Sequence, residues 1–216
     1  MIDSYKYKGL RKKLIDDIVL KGIKDTAVLD AMLKIPRHFF MAKGFEERAY
    51  QDNAFPIAAG QTISQPYTVA FQSSLLEVGK DEKVLEVGTG SGYQAAVLME
   101  LGVKLFTIER MKELYLSAQV LLKKLGYYPY CYFGDGYAGL PSYAPYDKIL
   151  ITAGAPEIPE ELLKQLKPGG YMVAPIGPLH SQDMLRIIKL SEDQYKTENH
   201  GKFIFVPMLK GKINGS

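Results

Sequence analysis

The sequence predicts an α/β protein built on a doubly wound, mostly parallel sheet, with a helical extension before it and an antiparallel final strand. Three observations carry this prediction. From Lys83 onward, short apolar strand-like runs alternate with helix-like runs, which is the pattern of βαβ units. The run 84–87 ends in three glycines, Gly88, Gly90 and Gly92, and a helix-compatible stretch, 94–101, follows at once. The chain's 216 residues, 47% hydrophobic and 24% charged, suffice for one ordinary domain with a full core.

Taken in order, Leu10, Leu14, Ile15 and Ile18 share one helical face, with Gly22 as its stop. The basic cluster Lys6, Lys8, Arg11, Lys12 and Lys13 reads as a solvated helix face. Asp25 caps a second helix over 26–35, ended by Pro36. Residues 40–65 read as irregular, and a third helix spans about 66–78. Strands are expected over 83–87, 104–109, 128–133, 148–153 and 171–176, with helices over 92–101, 111–125 and 157–166 between several of them. The glycine- and proline-rich stretch 134–147 leaves room for a short helix or a loop, and 166–170, Leu-Lys-Pro-Gly-Gly, is a helix stop and turn. Two last strands, about 183–190 and 202–207, form an antiparallel hairpin across the polar stretch 191–200. The domain reading is a helical segment, 1–80, packed on a core, 81–209, with a tail, 210–216, that matches no pattern and receives no role.

A net charge of +3 gives no ground for a nucleic-acid or membrane partner. The lone Cys131 excludes an intrachain disulfide and a cysteine-rich metal site, and reads as a small core residue. His38, His180 and His200 are scattered without metal-ligand spacing, so no metal is expected, and His38 reads as structural. Tyr128, Tyr130 and Tyr132 alternate along one strand face as sheet packing. The early charges show no secretory signal, and no apolar run approaches the roughly 18 residues of a spanning helix. A cytoplasmic monomer is the expectation.

Ligands of such sheets bind beyond the carboxyl ends of the strands, where the strand order reverses. Four segments fall at such ends: 88–92, Glu109, 134–136 and 152–156. Tyr93 stands where a dinucleotide fingerprint needs its third glycine, and no Gly-Lys-Ser/Thr follows to make a P-loop. Glu109, 21 positions after Gly88, either accepts from ribose hydroxyls or caps the following helix. Asp135, between Gly134 and Gly136, either meets an adenine amine or makes a turn. Ser64, ahead of Pro66 and a helix start, is either an N-cap or a carboxylate site. A nucleophilic serine is disfavoured, because G-x-S-x-G is absent there and no histidine lies near in sequence. The stretch 152–156, Thr-Ala-Gly-Ala-Pro, lacks the amide and stacking ring that base-amine methylation uses, and suits a thin substrate that brings its own nucleophile.

The pattern E-x-G-x-G-x-G from Glu86 resembles the first motif of Rossmann-like class I S-adenosylmethionine-dependent methyltransferases. Over about residues 34–209 the chain closely resembles protein-L-isoaspartate (D-aspartate) O-methyltransferases. The most specific segments are 35–39 (IPRHF), 60–67 (GQTISQPY), 84–93, 134–136, 152–159 and 205–207 (FVP). Gly154 departs from the alanine of many members and is expected to loosen that turn slightly.

The resemblance implies methyl transfer from S-adenosyl-L-methionine to the free α-carboxylate of L-isoaspartyl (and D-aspartyl) residues in damaged proteins and peptides. The ester then closes to a succinimide that reopens partly to normal aspartate. It further implies that Ser64 is the active-site hydroxyl contacting the substrate carboxylate and that Ile63 and Ser64 lie over the cofactor. Glu86, Gly88, Gly90 and Gly92 form its cradle, Glu109 takes the ribose, Asp135 and Gly136 the adenine, and Val206 lines the substrate groove. The competing classes are a methyltransferase acting on RNA or a small molecule, and a cofactor-binding adaptor without catalysis.

Overall fold

The computed structural model describes residues 2–214. The first helix, α1 (Tyr5–Leu20), starts at Ser4, whose hydroxyl accepts from the Tyr7 N–H, and buries Leu14, Ile15 and Ile18. Arg11 departs from the expected solvated face. It is buried, bonds Asp3 and Tyr50, and donates to the Leu33 carbonyl. Helix α2 (Thr26–Lys34) is capped by Asp25, as expected, and stops before Pro36, which cannot extend it.

The stretch expected to be irregular holds 3₁₀ turns at Arg37–Phe40, Glu46–Arg48 and Ala58–Gly60. It also holds two two-residue strands, β1 (Phe55–Pro56) and β2 (Thr62–Ile63), paired antiparallel. Helix α3 (Pro66–Leu76) follows. Then come β3 (Lys83–Val87), α4 (Tyr93–Glu100), β4 (Lys104–Glu109), α5 (Lys112–Lys124), β5 (Tyr130–Phe133), β6 (Tyr146–Ile151), α6 (Glu160–Lys164), β7 (Leu166–Ile176), β8 (Gln182–Lys189) and β9 (Tyr195–Phe203).

The sheet order is β5-β4-β3-β6-β7-β8-β9. Pairing is parallel from β5 to β7 and antiparallel for β7–β8 and β8–β9. The order reverses between β3 and β6, so the crevice opens above Val87 and Ile151. Val84, Leu105, Leu150 and Val173 face one apolar cluster with α1 to α4 and Leu122 of α5. Leu85, Val87, Phe106, Ile108 and Ile149 face another with Leu162 of α6. This alternation is the period of two that a strand imposes.

Four expectations shift. The strand expected at 202–207 is β9 instead, starting seven residues earlier, and the turn shrinks to a few residues around 190–194. Most of β9 is exposed at the sheet edge, so it carries no apolar signature. Residues 166–170 join β7 as an irregular start, with a register shift against Tyr146 and Lys148. Tyr130 and Tyr132 stack on Phe106, whereas Tyr128 lies outside the strand and is exposed. Cys131 is half-buried rather than core, and burial pushes its thiol up to about 11.

Candidate active site

A cleft opens above the switch point, lined by β2, the turn from β3 into α4, the end of β4 and residues 206–209. Its floor is the turn from β3 into α4. Gly88 has φ 101°, and a Cβ there would stand 2.5 Å from Thr152 Oγ1, which donates to the Gly88 carbonyl. Gly92 packs against Leu122, whereas a Cβ at Gly90 would meet nothing nearer than 3.8 Å. Two glycines therefore serve close packing, and Gly90 leaves open the side that borders the cleft.

Glu109 ends β4, lines the cleft and is buried. One carboxylate oxygen accepts from the Gly90 N–H and the other from the Met111 N–H, both at 2.9 Å. It thus ties the glycine turn to the start of α5, while each oxygen keeps a further lone pair for a ligand. Asp135 realises the turn reading: its carboxylate accepts from the Tyr137 N–H at 3.0 Å and from the Gly211 N–H at 2.8 Å. Gly136 lines the cleft, whereas Asp135 is not among its lining residues.

Glu86 stands behind the wall. It is wholly buried, accepts from the Thr107 hydroxyl at 2.6 Å, and leaves Oε1 without a partner among the described residues. Burial, with the charge of Glu109 adding to it, pushes its pKa up to about 8, so it is mostly protonated at neutral pH. Thr107 in turn meets Thr89 of the glycine turn at 2.6 Å. Glu86 therefore reaches the cleft only through two hydroxyls.

Ser64 and Ile63 line the cleft. The capping reading of Ser64 is not realised. The N-cap of α3 is Gln65 without a side-chain bond, and the orphan Tyr67 N–H is satisfied by Asp52 at 2.7 Å. Asp52 comes from 15 residues away in sequence, where sequence spacing offers no signal. The Ser64 hydroxyl makes no hydrogen bond among the described residues. Its carbonyl accepts from Arg37 at 2.8 Å.

Val206 lines the cleft from a loop whose carbonyl accepts from the Gly154 N–H at 2.8 Å. Beside Gly154, Gln182 fills the space a Cβ would take, and its side-chain oxygen accepts from the Phe205 N–H. Three features escaped sequence reasoning. Gln94 lines the cleft, donates to Ser73 and leaves a buried Oε1 unpaired; its one signal is being the polar residue of an apolar helix start. Arg110 and Met111 bond residues 210–213 of the tail, whose last two residues lie outside the described ones. The third is Arg37, wholly buried and bonded to the Ser64 carbonyl. His38 is structural, stacked on Tyr7 and bonded to Tyr50.

Among the described residues, no group of three or more His, Cys, Asp or Glu side chains gathers as a metal site. Nor is any helix there long and apolar enough to cross a membrane. The donor set suits an adenosyl cofactor: a buried carboxylate, a glycine face open to close approach, apolar Ile108, Met111 and Leu114, and an unpaired Gln94 carbonyl.

The family model described as protein-L-isoaspartate(D-aspartate) O-methyltransferase matches residues 9–213. A protein-L-isoaspartate O-methyltransferase of Christiangramia forsetii is 57% identical over 98% of this chain and 100% of its own. One of Flavobacterium johnsoniae is 55% identical over the same shares. A solved protein-L-isoaspartate O-methyltransferase superposes with TM-score 0.82 at 29% identity, covering 91% of this chain; this chain spans 65% of that one. A Plasmodium falciparum structure described as the same kind of enzyme, in complex with S-adenosyl-L-homocysteine, shares the fold with TM-score 0.81 at 24% identity, covering 93% of this chain and 99% of its own.

Proposed function

The chain belongs to the protein-L-isoaspartate (D-aspartate) O-methyltransferase family, and from that premise we propose how its own residues carry the reaction. It methylates the free α-carboxylate of L-isoaspartyl residues, using S-adenosyl-L-methionine, and so starts their repair. When bound, the cofactor supplies a methyl group activated on a sulfonium. Glu109 accepts from its ribose, Gly88 and Gly90 border it, and Gly136 with the Asp135 turn meets the adenine. Glu86 acts from behind, holding the glycine turn through Thr107 and Thr89.

Ser64 donates to the substrate carboxylate. One observation carries this role: Ser64 lines the cofactor cleft and its hydroxyl has no hydrogen-bond partner among the described residues, while Asp52 supplies the helix cap. A carboxylic acid with a pKa of about 4 is already ionised at neutral pH, so no general base is required. The protein's task is alignment and the exclusion of water. Ile63 covers the reacting region, and Val206, whose carbonyl is already taken by Gly154, offers its N–H to the substrate backbone.

The enzyme acts on isoaspartyl proteins and peptides as a cytoplasmic monomer; a net charge of only +3 supports the absence of nucleic-acid or membrane partners. The test is a radiolabelled methyl-transfer assay on an isoaspartyl peptide beside its aspartyl twin. Incorporation into the isoaspartyl peptide alone is expected. Equal labelling of both, or of neither, overturns the assignment.

A further inference from the structure

Arg37 lies behind Ser64 rather than in front of it. Its guanidinium is wholly buried, and its bonds go to backbone carbonyls, not to a carboxylate. Nε donates to the Ala49 carbonyl at 2.9 Å and Nη2 to the Ser64 carbonyl at 2.8 Å. The group lies 4.8 Å from the ring centre of Tyr93, the first residue of α4 after the glycine turn. Nη1 has no acceptor among the described residues. Burial draws its pKa down to about 10, which leaves it charged at neutral pH.

A buried cation with no carboxylate bonded to it is costly, the nearby charge of Asp52 offsetting only part of the burial, and an apolar side chain of similar length would pack there without that cost. Two consequences of the arrangement offset it. The guanidinium fork joins three segments, the turn at Ala49, the Ser64 loop and the start of α4, in one rigid geometry. Its positive charge sits one peptide behind the hydroxyl that meets the substrate, in low dielectric, where a field acts strongly. A direct salt bridge would draw electron density from the attacking oxygen. A cation held behind the peptide attracts the carboxylate without bonding to that oxygen.

Resting on the reading of Ser64 as the carboxylate contact, we propose that Arg37 is a positioning residue. It fixes the direction of the Ser64 hydroxyl and supplies the buried charge that makes the site prefer an anionic substrate over a neutral one.

The test compares binding of an isoaspartyl peptide with that of its α-carboxamide counterpart, in the full chain loaded with S-adenosyl-L-homocysteine. The wild type is expected to prefer the carboxylate by at least about tenfold. In Arg37→Met the preference should fall to within roughly threefold, with cofactor affinity changed less than about twofold. Arg37→Lys keeps the charge but not the fork, so it should restore the preference while kcat stays about tenfold down. If Arg37→Met does not fold, Arg37→Gln takes its place, since it keeps one donor and lacks the charge. An undiminished preference in a folded, cofactor-binding Met or Gln variant overturns the proposal. Ser64→Ala in the same series separates the two ideas. Lost turnover there with an undiminished preference in the Arg37 variants sinks Arg37 alone, whereas full turnover in Ser64→Ala sinks the serine reading itself.

Discussion

Ser64→Ala and Asp52→Ala form a pair whose effects should part cleanly. Ser64 Oγ has no internal partner among the described residues, and α3 takes its cap from Asp52. Removing the hydroxyl should therefore stay within about 0.5 kcal/mol of wild-type stability. For a chain of this size 1 kcal/mol shifts Tm by about 2–4 °C, so Ser64→Ala should move it by under about 2 °C. Asp52→Ala leaves the Tyr67 N–H unsatisfied and frees Gln65. That loss costs about 1 kcal/mol or more, and Tm should fall by at least roughly 2–4 °C. Activity runs the other way. Loss of the carboxylate contact should lower kcat/KM for an isoaspartyl peptide at least tenfold, about 1.4 kcal/mol, with cofactor affinity little changed. Scanning calorimetry, cofactor titration and labelled methyl transfer on the two variants decide the matter. A Ser64→Ala protein that melts as early as Asp52→Ala yet turns over normally would show that the hydroxyl is structural after all.

Glu109→Ala should weaken cofactor binding roughly tenfold or more, since a hydrogen bond to a charged group is worth about 1.5–3 kcal/mol, and should also lower Tm because the Gly90 and Met111 N–H groups lose their acceptor. Unchanged affinity by calorimetry removes Glu109 from the ribose role. Asp135→Asn keeps one acceptor oxygen where two are used, so cofactor affinity should fall and amide exchange near 210–213 should rise. A lower Tm with undiminished affinity reduces Asp135 to a turn residue. Glu86 has its pKa raised from 4.5 to about 8 by burial, so the folded state holds a proton that the unfolded state releases in between. Its contribution is fully present below about pH 4.5 and is lost as pH rises through about 8, at most about 5 kcal/mol in all. Denaturant unfolding from pH 5 to 8.5 should show a downward slope that Glu86→Gln reduces, and parallel profiles for the two proteins would refute that burial effect.

The glycine turn, the βαβ alternation and the Asp25 cap were legible because each is written in contiguous residues. An apolar run, a glycine spacing and a carboxylate at a helix start act over one or two turns of chain. The residues facing the cleft were legible in part for the same reason: Gly88, Gly90 and Glu109 stand at strand ends, and strand ends of a parallel sheet converge. β9 was misplaced because an exposed edge strand needs no apolar face, while the apolar 205–207 leaves the sheet where Gln182 and Gly154 take its backbone groups. Ser64 was ambiguous because its rival for the helix start, Asp52, belongs to another loop. The burial of Glu86, Arg11 and Arg37, and the seat of the tail on Asp135 and Arg110, likewise depend on groups brought together from far along the chain. Local pattern and turn chemistry thus determined the elements and the family motifs. Tertiary packing alone decided which polar groups lost their water and which hydroxyl was left without a partner, because desolvation and hydrogen-bond satisfaction depend on neighbours from every part of the chain.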